Sequence, residues 1–482
     1  MATVALVNPQ LATSGWGRGL RPGTMEDALP RHALTMLAAV LRRAGHRVVL
    51  ADLRLLSGWH DYDQILARER PQFVCVTAHT VEIATALACC ERAKKVLPDC
   101  ITAAGGIHLT MFPEEAPAAV DHVLRGEGEV SLPRLIAGQP GWPRVSWGEP
   151  PDLDALPFED RELYPDYARR TRFPLWSLPA PTVDLLTGRG CPFGCRFCCG
   201  PGEQNLYTQP SPSDPSRRIP SLRRRSVANV IAELEALSSR YQMRSAVFHD
   251  DQFLLAPRWV LDFCEALHRT GFVRRKLRWW AACRADVICR YPEVIAAMRR
   301  AGLKVISIGF ESFNDAILDW LAKGTTCEQN FRAAEICHQL GLEIFANVML
   351  GIPRPDGSWA LADDRETLAA IEKIRPRYVS PSFFTPAPGS WLYDWWRSTF
   401  PAAADGGSRF GRRDPGPGAI PGVDYSLLAT LASGCVARFS HPLHDRLRHL
   451  RFRFASRRAP RPAPALVGGA AGSDGAGERQ RT

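Results

Sequence analysis

The sequence predicts an α/β protein: an N-terminal doubly wound, Rossmann-like domain, a partial (β/α)6 TIM-like barrel, and a short helical C-terminus. Three observations predict it. Residues 1–135 alternate short apolar runs with helix-period segments. A second alternating series begins at residue 182 and continues through six β–α units. No stretch of the 482 residues approaches the roughly 18 consecutive apolar residues of a spanning helix.

In the first series, "TVALVNP" (3–9) precedes the helix-like "ALTMLAAVLRRAG" (33–45), and "RVVLADL" (47–53) precedes "DYDQILARE" (61–69). "QFVCVTA" (72–78) then leads into "EIATALACCERAKKVL" (82–97), and "CITAAGG" (100–106) into "PEEAPAAV" and "DHVLRGEGE". Parallel sheets bind ligands at the C-terminal ends of their strands. Asn8, Thr77, Gly105 and Gly106 occupy such ends, and the glycines let backbone approach a ligand closely. The N-terminus "MATVALVNPQ" lacks a basic n-region and reads as a first strand rather than a signal peptide.

Residues 137–180 are rich in proline and tryptophan, weakly periodic, and expected to run over the surface as a linker. The second series starts with "TVDLLTGRG" (182–190). Its later strands are "SAVFHDD", "LRWWAACRAD", "KVISIGFES", "EIFANVMLG" and "YVSPSFFTP". Helical segments lie between them, and Ser226 is placed to cap the one over 226–241. Residues 201–216 read as an inserted loop, "SLLATLASGCVARF" (426–439) as a last helix, and the Ala/Gly/Pro/Arg tail from about 456 as disordered.

The chain carries fourteen cysteines, ten of them scattered among apolar neighbours as small core residues. With no secretion signal, a cytoplasmic, reducing compartment is expected, without disulfides. The formal charge is +10, concentrated in "RRIPSLRRR" (217–225) and the C-terminal stretch. No aromatic-rich RNA-binding signature accompanies these arginines, so solvated loops are favoured over a nucleic-acid surface.

The remaining four cysteines lie in "GRGCPFGCRFCCG". Cys191, Cys195 and Cys198 have the spacing C-x3-C-x2-C, just past the first barrel strand. A structural zinc site wants four ligands with paired C-x2-C spacing, and no second pair lies nearby. A four-iron cluster held by three thiolates leaves one iron open to a substrate-like ligand. The spacing therefore favours an iron–sulfur cluster, with Cys199 pointing elsewhere.

This motif, with Phe197 before its third cysteine, resembles the radical S-adenosylmethionine (SAM) enzymes. The resemblance extends over most of residues 182–395. "VFHDDQF" resembles the family's second-strand motif, with Asp250 and Asp251 near the SAM amino group. "CRADVI" resembles the third-strand motif, with Arg284. "IGFESFNDAILDWLAKG" resembles the fourth-strand segment, with Glu311 and Lys323. "ANVMLGIP" is similar to the fifth strand and "FTPAPGSWLYDWW" to the stretch after the sixth. The resemblance implies a [4Fe–4S] cluster and SAM bound by Phe197, Asp250, Asp251, Arg284 and Glu311. It further implies reductive cleavage of SAM to a 5′-deoxyadenosyl radical and an external donor such as flavodoxin or ferredoxin.

"AAGGIHLTMFPEEA", "DHVLRGEGEVSLPRLI" and "PDLDALPFEDRELYP" resemble the branch carrying an N-terminal cobalamin (B12)-binding domain. That branch includes cobalamin-dependent methyltransferases and the anaerobic Mg-protoporphyrin monomethyl ester cyclases. Cobalamin is expected against Asn8, Thr77, Gly105, Gly106 and His108. One position departs from the pattern: Arg54 stands where many such domains place a cobalt-binding histidine, and a guanidinium offers no lone pair. His60 and His108 are the alternative imidazoles, each read as a loop or surface histidine rather than a ligand.

The expected organisation is a B12-binding-like domain over 1–138 and a linker over 139–180. A radical SAM core over 181–400, a helical extension over 401–455 and a tail over 456–482 follow. The expected activity is C-methylation of a small molecule. The alternatives are an oxidative cyclase or rearrangement enzyme, and an RNA-modifying enzyme of the same superfamily.

Overall fold

The computed structural model describes residues 1–11, 30–172, 175–201, 222–405 and 420–439. The expected disordered tail, and the inserted loop beyond residue 201, lie outside the described residues.

The first sheet has six parallel strands: β1 (Thr3–Asn8), β2 (Arg47–Asp52), β3 (Phe73–Thr77), β4 (Ile101–Gly105), β5 (His122–Gly126) and β6 (Val145–Gly148). Their spatial order is β2-β1-β3-β4-β5-β6. Alternation of side chains explains why these strands read as continuous apolar runs. In β1, Ala5 and Val7 pack towards helices Trp59–Glu69 and Ile83–Val96, with Tyr62, Leu66 and Cys89. Val4 and Leu6 pack on the opposite face, against Leu34, Leu41 and Leu135 of helices His32–Arg43 and Gly128–Ile136. Strand order reverses about β1, so the crevice beside its C-terminal end is where a doubly wound sheet takes a ligand.

The second sheet comprises β7 (Thr182–Leu185), β10 (Ser245–Phe248), β11 (Arg278–Cys283), β12 (Leu303–Glu311), β13 (Glu343–Leu350) and β14 (Tyr378–Phe383). All neighbours are parallel, in the order β14-β13-β12-β11-β10-β7. This is the expected partial barrel, open between β7 and β14. A two-stranded antiparallel ribbon, β8 (Gly188–Arg189) with β9 (Arg223–Arg224), stands at its rim. Ala246, Phe248, Trp279 and Ala281 point outward into the helix-covered core. Val247, Trp280 and Val305 point inward. Ser226 caps helix Val227–Tyr241, its hydroxyl accepting from Asn229 N–H at 3.1 Å.

The segment expected to be a surface linker differs. Its early part adds β6 to the first sheet. Its middle is a buried seam: Arg161 donates to Glu233 Oε1 at 2.8 Å and to Asp184 O at 2.6 Å, and Tyr167 OH donates to Asp184 Oδ1 at 2.9 Å. Its end fills the inside of the barrel with Leu175 and Leu178, and Trp176 stacks on Trp280 at 5.5 Å. Periodicity failed here because burial follows ion pairs and isolated rings, not a helix or strand face.

Helix Tyr425–Phe439 matches the expected last helix and buries Leu428 and Cys435. Among the described residues no helix is long and apolar enough to cross a membrane.

Candidate active site

The C-terminal ends of both sheets face one cavity of about 840 Å³. That lies within the usual range for a ligand site. Leu6, Thr77 and Gly105 line it from the first sheet, and Leu186, Asp251 and Glu311 from the second.

The cysteine loop begins where β8 ends, at Gly190, whose φ of +89° lets the chain turn. Cys191, Cys195 and Cys198 all border the cavity. Cys195 is buried, Cys191 half-buried and Cys198 exposed, and all three are free of disulfides. Cys198 N–H donates to Cys195 O at 3.1 Å, which tightens the turn. Arg196 pins the loop from outside: its N–H donates to Leu321 O at 2.9 Å, and its guanidinium lies 4.7 Å from the Trp391 ring centre. Burial pushes the Cys191 thiol up, and the Cys199 thiol together with burial pushes Cys198 up.

Cys199 was expected to turn away from its neighbour. Instead its thiol is within hydrogen-bonding reach of Cys198 and borders the same cavity. A turn, unlike an extended strand, does not force consecutive side chains apart.

Arg284 joins this loop to the barrel. Its Nη1 donates to Cys195 Sγ at 3.4 Å, its Nε to Asp286 at 2.9 Å and its Nη2 to Lys323 O. The guanidinium also lies 3.8 Å from the Phe193 ring centre. Glu311 ends β12 with φ of +61°, a conformation rarely adopted outside glycine. Its Oε1 accepts from Lys323 Nζ at 3.0 Å, and that ammonium sits 5.6 Å from the Phe197 ring centre. Phe197, Arg284, Glu311 and Lys323 thus share one wall with the cysteines.

The two aspartates part company. Asp251 faces the cavity, and burial raises its carboxyl. Asp250 is turned inward and accepts from Thr187 N–H at 3.1 Å and Thr187 Oγ1 at 2.7 Å. It fastens the end of β10 to the end of β7.

On the opposite wall, Thr77, Gly105 and Gly106 border the cavity, joined by Gly126 and Gly128. A Cβ on Gly106 would lie 2.7 Å from Ala78 O, and its φ is +98°, so only glycine fits this turn. Asn8 and His108 are not among the lining residues. Asn8 Nδ2 donates to Asp52 Oδ1 at 3.0 Å. Arg54, buried beside it, donates through Nη2 to Asp52 Oδ2 at 2.6 Å. Asp52 therefore holds both residues within the domain. His108 is buried, not a surface residue: its ring nitrogens lie 3.1 Å from Thr80 Oγ1 and 2.9 Å from Glu115 Oε2. His60 lies on the solvent side of its helix, 2.9 Å from Gln64.

Three imidazoles outside the expected set also line the cavity: His32, His79 and His249. His79 could have been found, since it stands two residues past the end of β3. Arg189 also ties the two walls together, reaching Glu127 Oε2 at 2.5 Å and Glu129 Oε1 at 2.7 Å.

Residues 185–364 match the family model "Radical SAM superfamily", and residues 23–136 match "B12 binding domain". The chain is a radical SAM enzyme with a B12-binding domain. Its cofactors are accordingly a [4Fe–4S] cluster, SAM and cobalamin. Among its relatives is an uncharacterized methyltransferase of Pyrococcus horikoshii, 26% identical over 388 residues, covering 76% of this chain and 78% of that protein. The hopanoid C-3 methylase of Methylococcus capsulatus is 27% identical over 381 residues, covering 74% of this chain and 67% of that one. The fold is also that of the radical SAM methyltransferase TsrM from Kitasatospora setae, solved with cobalamin and a [4Fe–4S] cluster bound. The TM-score is 0.58 at 18% identity, covering 82% of this chain and 78% of that one.

The residues present fit these groups. Three free thiols converge on one cavity, with a guanidinium on the deepest to balance thiolate charge. The facing wall includes backbone of Gly105, Gly106, Gly126 and Gly128 beside apolar side chains such as Leu6 and Leu124, a surface suited to the face of a corrin.

Proposed function

We propose that this radical SAM enzyme is a cobalamin-dependent C-methyltransferase acting on a small molecule. The observation that carries the reading is the single cavity shared by the cysteine loop and the glycine-walled end of the first sheet. Two cofactors bound on those walls would confront each other across one substrate-sized space.

When bound, the cluster and SAM supply one-electron cleavage of the sulfonium, and cobalamin supplies a methyl group. The chain's own residues hold and shield. Cys191, Cys195 and Cys198 would hold the cluster. Arg284 orients Cys195 and lowers the cost of its thiolate. Asp251 and the Glu311–Lys323 pair would offer hydrogen-bonding groups to the amino acid and ribose parts of SAM. Asp250 supports Asp251 by fixing the loop. Thr77, Gly105 and Gly106 would hold the cobalamin, and Asn8 and Arg54, both bonded to Asp52, would stiffen the strand ends of that wall. His108 acts from behind this wall by holding Thr80 and Glu115. Walls from both domains keep water from the reacting carbon. The electron enters from an external donor of the flavodoxin or ferredoxin kind.

The experiment is anaerobic purification with iron, sulfide and hydroxocobalamin, followed by reduction and addition of SAM. Formation of S-adenosylhomocysteine in proportion to bound cobalamin supports methyl transfer. An oxidative cyclase would yield only 5′-deoxyadenosine and a dehydrogenated product. Absence of S-adenosylhomocysteine from fully loaded protein would reject the methyltransferase reading.

A further inference from the structure

Beside the cysteine loop, the seam between the two sheets gathers a second cluster of metal-binding side chains. His32 opens helix His32–Arg43, Asp184 lies in β7, and His249 immediately follows β10. One ring nitrogen of each histidine and one oxygen of Asp184 lie within 4.8 Å of one another. The two imidazole rings are 5.2 Å apart, inclined at 59°. His32 Nε2 stands 3.2 Å from Asp184 Oδ2. That is about the edge length of a tetrahedron with metal–ligand bonds near 2.0–2.1 Å.

Three of the buried polar atoms here, His32 Nε2, Asp184 Oδ2 and His249 Nε2, make no hydrogen bond within the protein. Buried polar atoms are otherwise nearly always satisfied, because each orphan costs about 1–3 kcal/mol. Asp184 is fully buried, so water does not relieve it. The remaining atoms of the same side chains are held. His32 Nδ1 lies 2.9 Å from both oxygens of Glu159, which fixes the proton on Nδ1 and turns the Nε2 lone pair inward. Tyr167 OH donates to Asp184 Oδ1 at 2.9 Å, leaving Oδ2 for another partner. Thr35 Oγ1 donates to Glu159 Oε2 at 2.7 Å. A carboxylate behind a histidine and a phenol behind an aspartate are the outer hydrogen bonds that orient metal ligands.

Charge points the same way. The seam buries Glu159, Asp184 and Glu233 against Arg161 and Arg225, an excess of carboxylate. That excess of buried negative charge favours a cation in the pocket. A proton on His32 Nε2 would satisfy His32 and Asp184 but would leave His249 Nε2 bare. A metal ion satisfies all three. His32, Glu159 and His249 border the cavity, so the fourth position faces it.

We propose that His32, Asp184 and His249 form a mononuclear site for a divalent transition metal, zinc or ferrous iron. Its open coordination position would face the cavity and accept an oxygen donor of the substrate, such as a carboxylate, carbonyl or hydroxyl. Two imidazoles and one carboxylate with an open position suit either ion. The inference stands independently of the methyl-transfer reading, since nothing in it involves cobalamin or SAM.

The test uses full-length protein with its cluster and cobalamin loaded, dialysed against micromolar zinc and then against buffer. Zinc is counted by mass spectrometry and its neighbours read by X-ray absorption. The expected result is about one zinc per chain with only nitrogen and oxygen ligands near 2.0–2.1 Å. His249→Gln and Asp184→Asn lose that zinc while keeping wild-type iron and far-ultraviolet dichroism. Tyr167→Phe, which removes only an outer hydrogen bond, weakens retention about tenfold. No retained zinc, zinc bound by sulfur, or equal zinc in wild type and His249→Gln would overturn the site. Should Asp184→Asn fail to fold, the cavity-facing His249→Gln carries the test alone.

Discussion

Cys195 is the deepest of the three spaced thiols and the one that Arg284 touches. Cys195→Ala is expected to abolish the cluster, read as loss of the about four irons per chain of a reconstituted cubane. Cys199→Ala is expected to leave iron content unchanged, although its thiol lies beside that of Cys198. Glu311→Gln removes a carboxylate that Lys323 already orients. Losing one charge-assisted hydrogen bond costs about 1.5–3 kcal/mol, so SAM affinity of cluster-loaded protein is expected to fall roughly 10–100-fold. Equilibrium binding measures it, and unchanged affinity would remove Glu311 from the SAM wall. The cysteines were legible because their chemistry resides in spacing over eight residues. His32, Asp184 and His249 were not, because no local spacing connects positions 32, 184 and 249.

The strands were legible because parallel strands buried on both faces read as unbroken apolar runs. Thr77, Gly105, Gly106, Asp251 and Glu311, at or just past such strand ends, line the cavity. Strand-end position alone did not say which way a side chain turns. Asn8 and Asp250 sit at such ends and face inward, each claimed by a neighbouring polar group. The proline-rich segment after β6 was misjudged for a different reason: its ion pairs are made with residues distant in sequence. Arg161, buried between Glu159 of the same segment and Glu233 of helix Val227–Tyr241, ties it to the second domain. Arg161→Met leaves those carboxylates short of a partner and is expected to cost about 3–5 kcal/mol. Chemical denaturation of the cofactor-free protein measures the loss. A change within about 0.5 kcal/mol would show that the seam does not hold the domains.

At the scale of the whole molecule, two parallel sheets direct their strand ends at one space, and Arg189 bridges them to Glu127 and Glu129. A ligand held only by the folded form stabilises it by mass action, about 2.7 kcal/mol at a hundred times its Kd. Cobalamin is therefore expected to raise the thermal midpoint in a concentration-dependent way. A midpoint indifferent to cobalamin would mean that the glycine wall does not receive it. Three cysteines gripping the cluster would leave one iron for SAM. Mössbauer spectroscopy of protein loaded with iron-57 reads each iron. SAM is expected to alter the signal of one iron in four and leave three unchanged. Four irons that ignore SAM would refute the three-cysteine site.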